Sequence, residues 1–204
     1  ATSRRERLTK DKYFERDEVS DVLTVAREHF PDWYPLVLCG FRTGSASCSG
    51  CSGAIWIGEK ASSTFNAHGC APRGRRRKNG EDRTADMSQQ LRAELRLWRL
   101  KQSQVWMKRG LSRPAVVFPS TVGTPLDDSN VRKAFAAILR KADVRHRNVH
   151  AMRHTFISLL LQLGESPAYL QKQAGHKSMD ITINVYGHFI PGGNRAAVDR
   201  LDDV

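Results

Sequence analysis

The sequence lacks any apolar run long enough to cross a bilayer, since its longest is FISLLLQL at residues 156–163. Its first twelve residues, ATSRRERLTKDK, are charged and contain no apolar stretch, so we expect no signal peptide. We therefore expect a cytoplasmic protein without disulfides. Acidic residues are few, 21 against 33 basic ones, and the net charge of +12 predicts a polyanionic partner, either nucleic acid or an anionic membrane surface.

Cysteine is also scarce, with four residues in the chain, but three of them fall in SASCSGCSGAIWIGEKASSTFNAHGC, residues 45–70. Cys48 and Cys51 form a CxxC pair, and His68 and Cys70 follow, so a tetrahedral zinc site is one interpretation. A divergent loop, in which the cysteines have no role, is a second interpretation.

A shifted reading frame is the third interpretation of this stretch. One permitted set of codons for residues 52–73, translated after two bases are dropped, gives WGDLDWREGFIHVQRTWVRPA. This product contains FIHVQR, whose alternation is typical of a β-strand, and the same shift permits an arginine codon at Ser45-Ala46. We favour this interpretation, under which residues 45–74 are out of frame and the cysteines are accidental.

Apolar spacing elsewhere predicts a mostly helical α+β protein. Residues 33–41 are apolar and expected to be buried, residues 115–119 to form a short buried strand or extended segment, and Asn79-Gly80 to mark a hairpin. Leu91, Leu95, Trp98 and also Leu97 are expected to face inward from their helix. Helices are predicted at 16–30, 88–104, 127–142, 150–164, 166–175 and 178–189.

Candidate chemistry gathers in the last third of the chain. His150 and Arg153 are three residues apart and project from one face of a helix, and His154 is placed to support Arg153 from behind. His176 follows a glycine turn, and Tyr186 comes ten residues later. A single HxxR is typical of a surface charge pair. HxxRH followed by GH and then by Tyr, in this order, is a much more specific pattern.

Residues 150–187 resemble the C-terminal catalytic box of the tyrosine recombinases, the phage integrase family, whose pattern is HxxRH, LGH and then Tyr. AGH replaces LGH here. Residues 117–135 are similar to the segment before the box, 78–80 match the position of a hairpin lysine, and parts of 15–44 resemble the opening of the catalytic domain. The resemblance implies a mostly helical domain with a small antiparallel sheet, which an aberrant segment at 45–74 would disrupt.

The resemblance also implies a reaction without metal or cofactor. The Tyr186 hydroxyl would break a phosphodiester of double-stranded DNA and form a 3′-phosphotyrosine, which a second 5′-hydroxyl then attacks. Arg153 would supply one of two guanidinium forks for the phosphate oxygens. His150 and His176 would donate hydrogen bonds to the phosphate or move protons, and Lys78 would protonate the leaving 5′-oxygen.

The second guanidinium fork is missing from the chain. The family pattern is TG-x-R-x-x-E, but Thr43-Gly44 is followed by Ser-Ala-Ser, and Arg42 stands on the wrong side of it. The shifted translation, in contrast, contains the W-x-D start that the family has next. We therefore expect a recombinase of impaired activity, and the alternative is a non-catalytic, zinc-dependent DNA-binding protein descended from a recombinase.

The expected organisation is a basic linker at 1–12, a catalytic domain at 13–193 and a C-terminal tail at 194–204. The core-binding domain that usually precedes the catalytic domain is not among these residues. Because the chain does not begin with Met, we expect a fragment or a processed product. The resemblance implies a homotetramer on paired DNA sites and no membrane partner.

Overall fold

The computed structural model describes residues 12–44, 64–67, 83–112, 114 and 116–174. These residues form a mostly helical α+β fold, as the sequence predicts. The elements in chain order are α1 (Arg16–His29), α2 (Tyr34–Thr43), β1 (Thr64–Ala67), β2 (Arg83–Asp86), α3 (Gln89–Lys108), α4 (Asp128–Lys141), α5 (Ala151–Gln162) and α6 (Pro167–Ala174).

Side-chain caps fix where the helices begin, which is why their starts are predictable. The Glu15 N–H donates to Glu18 Oε2 over 2.8 Å in a capping box at α1. Asp127 Oδ1 accepts from the Ser129 N–H over 2.7 Å at α4. Ser88 Oγ accepts from a backbone N–H of the first turn of α3. Each cap satisfies a donor that the helix itself leaves unpaired.

Helix α2 forms the centre of the core. It is apolar all round and contacts α1, α3 and α5, so the predicted burial of residues 33–41 is confirmed from Tyr34 onward. Gly40 permits a close approach to α5, since an added Cβ would lie 2.6 Å from Met152 Sδ. The ring of Phe14 meets that of Phe41 edge-on at 5.4 Å. The helix that carries Arg153 therefore packs directly on the most buried helix.

Most of the residues predicted to face inward from helix α3 do so. Leu91, Leu95 and Trp98 are buried, whereas Leu97 is 60% exposed, so its inward assignment is wrong. The buried residues follow the i, i+4, i+7 spacing of one helix face, and Leu97 lies about 100° around the axis from Trp98. Among the described helices, none is both long and apolar enough to span a bilayer.

The sheet consists, in the described part of the chain, of β1 and β2 in antiparallel pairing. Thr64 lies opposite Asp86, and Ala67 lies opposite Arg83. The pairing places a strand, Thr64–Ala67, inside the segment at 45–74, where the sequence analysis expects the sheet to be disrupted. Asn79-Gly80 lies outside the described residues.

Of residues 115–119, predicted as a short strand or extended segment, the structure describes 116–119, where 116–118 form bends rather than a strand. Pro119 pairs with Pro125 in an isolated antiparallel bridge. Phe118 is buried and stacks at a tilt on Trp98, with ring centroids 6.2 Å apart. The Trp98 indole N–H donates to the carbonyl of Val117 over 2.8 Å. These contacts fasten the segment to α3.

Candidate active site

The first turn of α5 carries the two predicted site residues that the structure describes. His150 stands immediately before the helix and is exposed, while Arg153 is half-buried one turn later. The Ala151 N–H that opens the helix donates to Asn148, to the backbone carbonyl over 3.0 Å and to Oδ1 over 3.2 Å. The other face of the turn is anchored in the core by Met152.

The turn that ends α2 lies against Arg153. Gly44 adopts the left-handed conformation with φ of 63°, and its N–H donates to the Gly40 carbonyl over 3.0 Å. A Cβ added at Gly44 would lie 3.5 Å from Arg153 Cγ and 2.9 Å from Phe156 Cδ1. The place where the family pattern continues toward its other arginine is therefore adjacent to the Arg153 side chain.

We expect Gly44→Ala to destabilise the protein by about 2–3 kcal/mol, from left-handed backbone strain and the clash with Phe156. Gly110→Ala is the matched control, because Gly110 has a similar φ of 68° and nothing within 4 Å of an added Cβ. That control should cost about 1 kcal/mol of unfolding free energy. Urea unfolding measures both, and equal costs would show that the contact with Phe156 and Arg153 is not tight.

Positive charge surrounds the first turn of α5. His154 is half-buried, and burial lowers its pKa, with further lowering from the nearby charges of Lys12, His150 and Arg153. The lowered pKa therefore favours the neutral form of His154. The sequence indicates no role for Lys12, which lies in the basic lead-in. The support of Arg153 by His154 stays a prediction.

The lowered pKa of His154 makes the folded protein less stable in acid. A group whose folded pKa lies below its unfolded value binds protons more readily when unfolded, so stability is full above about pH 6.5 and falls below it. We expect the melting temperature to drop from about pH 8 to about pH 5. His154→Gln should make this drop smaller, and an unchanged drop would assign the acid loss to other groups.

Helix α6, which ends two residues before His176, is fastened to strand β2. The backbone N–H of Asp86 donates to Gln173 Oε1 over 2.8 Å, and Gln173 Nε2 donates to Asp86 Oδ2 over 2.8 Å. The Tyr169 hydroxyl donates to the same carboxylate over 2.9 Å. Burial and this hydrogen bond raise the pKa of Tyr169 to about 12. The sequence pattern gives no signal of this network.

We expect Gln173→Leu to destabilise the protein by about 1–3 kcal/mol, since it removes both bonds to Asp86 from a buried site. Lys172→Leu introduces the same side chain at an exposed position of the same helix and should change stability by less than about 0.5 kcal/mol. Thermal unfolding of the two variants measures the difference. Equal melting temperatures would contradict a structural role for the pair.

Arg147, just before α5, is a further residue for which the sequence indicates no role. Its side chain is buried, pairs with Glu18 Oε1 at 3.0 Å and lies 4.5 Å above the Phe14 ring. A buried cation in a basic stretch such as RHRN has no sequence signature. It ties α1 to the loop that leads into the first turn of α5.

Three of the predicted catalytic residues, Tyr186, His176 and Lys78, lie outside the described residues, and so does the predicted helix at 178–189. The four candidate zinc ligands do as well. Of the five predicted catalytic residues, the structure therefore places His150 and Arg153 together on one helix turn.

The sequence model of the phage integrase family matches residues 53–190, about two thirds of the chain. The matched range contains α3 to α6 and the whole HxxRH…GH…Tyr pattern. This chain belongs to the phage integrase family.

Individual relatives agree with that assignment. A tyrosine recombinase XerC-like protein of Caldanaerobacter subterraneus subsp. tengcongensis is 36% identical over 88 residues, which are 43% of this chain and 22% of that protein. The catalytic domain of bacteriophage HP1 integrase superposes with a TM-score of 0.61 at 17% identity, covering 92% of this chain and 93% of that domain.

A third comparison involves a complex with nucleic acid. The Tn1549 transposon integrase in complex with transposon right end DNA has a TM-score of 0.67 at 18% identity, and the match covers 93% of this chain and 66% of that one. The two structures establish a shared fold. The chain spans about a fifth to a third of the length of the first curated relatives that it matches.

Proposed function

We propose that residues 13–193 form the catalytic domain of a tyrosine site-specific recombinase, which breaks and rejoins double-stranded DNA through a 3′-phosphotyrosine at Tyr186. The observation that carries this proposal is the first turn of α5, where His150 and Arg153 share one turn, the Gly44 turn lies against Arg153, and the charges of Lys12 and Arg153 reach His154. Such a concentration of positive charge suits a phosphodiester. The family match over the whole catalytic box supports the same function.

In the proposed reaction, the Tyr186 oxygen attacks phosphorus and the bond from phosphorus to the 5′-oxygen breaks. Lys78 gives the leaving oxygen its proton, and a later 5′-hydroxyl reverses the step. Arg153 donates two N–H groups to the non-bridging oxygens, whose charge grows in the transition state. His150 and His176 donate hydrogen bonds to the phosphate or move protons, which includes taking the proton that the Tyr186 hydroxyl gives up on attack. The bond energy is conserved in the phosphotyrosine, so the proposal includes no metal or cofactor.

The proposed activity is impaired, because the chain has Ser-Ala-Ser where the family supplies its other arginine. Loss of one preorganised donor to a developing oxyanion costs about 3 kcal/mol, or about a hundredfold in rate. The proposed site therefore lacks one of its two guanidinium forks. We propose that residues 45–74 are an out-of-frame translation of an ordinary integrase gene.

Assembly and location follow from the proposed substrate. Two DNA sites must be held together for strand exchange, so we propose a homotetramer on paired DNA sites in the cytoplasm. Residues 1–12 would serve as a basic linker and 194–204 as a tail. With a net charge of +12, binding should weaken steeply as salt is raised.

The test is a pool of nicked duplexes of random sequence, each labelled at the 5′ end of the cleaved strand. We expect label to become attached to the protein slowly and to resist SDS, and the captured DNA then reports the preferred site. Tyr186→Phe should abolish the adduct while salt-sensitive binding to the duplex is kept. An adduct that survives Tyr186→Phe would contradict the proposed nucleophile.

The alternative is a zinc-dependent DNA-binding protein without catalysis, which the CxxC pair and the nearby His68 and Cys70 favour. It requires one tightly bound zinc ion per chain and no covalent adduct after prolonged incubation. Our proposal requires a covalent adduct and no bound zinc ion. Metal analysis of purified protein alongside the adduct assay separates the two functions.

A further inference from the structure

A row of large apolar side chains lies exposed along the longest helix. Leu97, Leu100, Met107 and, just past the helix end, Leu111 are 60%, 61%, 73% and 55% exposed. Leu97, Leu100, Gln104 and Met107 follow alternating spacings of three and four residues, which place side chains in a single line on a helix. Leu111 lies beyond Gly110, whose left-handed φ of 68° takes the chain out of the helix. We call the four helical residues the α3 stripe.

The α3 stripe faces away from the protein's own core. The buried side of the helix is made by Leu91, Leu95, Trp98 and Trp106. At about 100° per residue, the centre of the stripe lies on the opposite side of the helix axis from these four. The stripe is therefore not the edge of the buried face of the helix. Single exposed apolar side chains are normal on a protein surface, whereas several of them in one line are not.

Basic side chains border the α3 stripe on both sides. Arg96 lies along one edge, and Lys101 and Lys108 lie along the other, all of them exposed, with Lys101 paired to Asp32 over 2.6 Å. Helix α3 contains one acidic residue, Glu94, which is half-buried and turned toward Arg27 at 4.0 Å. The surface thus has an apolar centre with a positive rim.

We propose that the α3 stripe docks an amphipathic helix of a partner protein whose apolar seam is bordered by aspartate or glutamate. The 3–4 spacing matches the seam by which two helices pack, and the positive rim selects acidic flanks. A second copy of this helix would bring like charges together on both edges. The DNA backbone would use the rim but leave the leucines exposed. None of the residues proposed for strand cleavage belongs to the stripe, so this interaction is independent of the proposed reaction.

The probe is a dye-labelled synthetic helix with leucine at the a and d positions and glutamate at e and g, whose mutual repulsion prevents self-pairing. Fluorescence anisotropy with the full chain should show saturable binding. Leu100→Asn and Arg96→Glu/Lys108→Glu should each weaken it at least about tenfold. Leu163→Asn is the matched control, since Leu163 is 65% exposed but lies outside the stripe, and it should leave binding unchanged. Circular dichroism confirms that each variant is folded.

Two further peptides test whether binding depends on both the acidic flanks and the leucines. A peptide with lysine in place of glutamate, and one with serine in place of leucine, should each bind at least about tenfold more weakly. If the acidic peptide binds no better than these, the proposal fails. It fails equally if Leu100→Asn lowers affinity for phosphatidylserine vesicles or duplex DNA instead, or if the chain dimerises through the stripe in sedimentation velocity.

Discussion

Ala46→Arg is expected to raise the rate of covalent adduct formation about a hundredfold. Position 46 is where the TG-x-R pattern has its arginine, two residues after Gly44. Two residues of chain span at most about 7 Å, and Gly44 is in contact with the Arg153 side chain. An arginine at position 46 is therefore within reach of the phosphate that Arg153 is proposed to hold, and it restores the second fork.

Control variants separate the effect of the added charge on the rate from the effect of its position in the chain. Ala46→Gln adds a long polar side chain without charge and should give less than a tenth of the gain, about tenfold at most. Ser45→Arg carries the charge at the neighbouring residue and should do no better. Ala46→Arg combined with Tyr186→Phe should form no adduct. A null result for Ala46→Arg, in protein that remains folded, would contradict the impairment that we assign to this position.

Arg153→Ala is expected to lower adduct formation by at least about a hundredfold, in both the unaltered chain and the Ala46→Arg variant. Arg153 is half-buried, and its Cγ lies 3.5 Å from a Cβ added at Gly44, so the base of its side chain is packed against the end of α2. Arg153→Lys keeps the charge but loses the planar fork and should recover little activity. Initial rates with the captured DNA site, at saturating protein, give the comparison.

Arg132→Ala is the matched control for this loss, because Arg132 is an exposed arginine on α4. It should reduce DNA affinity slightly through lost charge and leave the rate at saturation unchanged. If Arg153→Ala and Arg132→Ala weaken binding equally and neither changes the rate at saturation, Arg153 contributes only general attraction to DNA.

The helices could be predicted from the sequence because their signals are local. The capping box of Glu15 and Glu18, the Asp127 cap and the apolar period of α3 all operate within one or two turns. Leu97 was misplaced because a leucine beside buried residues has no local feature that distinguishes the two faces. Its exposure became informative only with the rest of the α3 stripe.

The candidate site was predictable in part. His150 and Arg153 share a helix turn, so their spacing alone places them together. The contact of Gly44 with Arg153 joins residues more than a hundred positions apart, and the bonds between Asp86 and Gln173 join residues 87 positions apart. Contacts between residues so far apart in the sequence depend on how the helices pack. The apolar periodicity of the sequence does not encode them.

The origin of residues 45–74 has its own direct test in the coding DNA. Under the shifted-frame interpretation, the gene contains an arginine codon and then WGDLDW two bases out of register. A chain with the restored frame should then be at least as active as Ala46→Arg. If the codons exclude that translation, the segment belongs to the protein and its cysteines require a role.

The most direct test of the central claim is mass spectrometry of the covalent adduct. Trypsin should release Ser178–Arg195 with Tyr186 inside it. The account predicts that this peptide from the Ala46→Arg protein carries a nucleotide on Tyr186 through a 3′-phosphate, while the other DNA fragment ends in a free 5′-hydroxyl. A nucleotide on another residue, a 5′-phosphate linkage, or no modified peptide would contradict it.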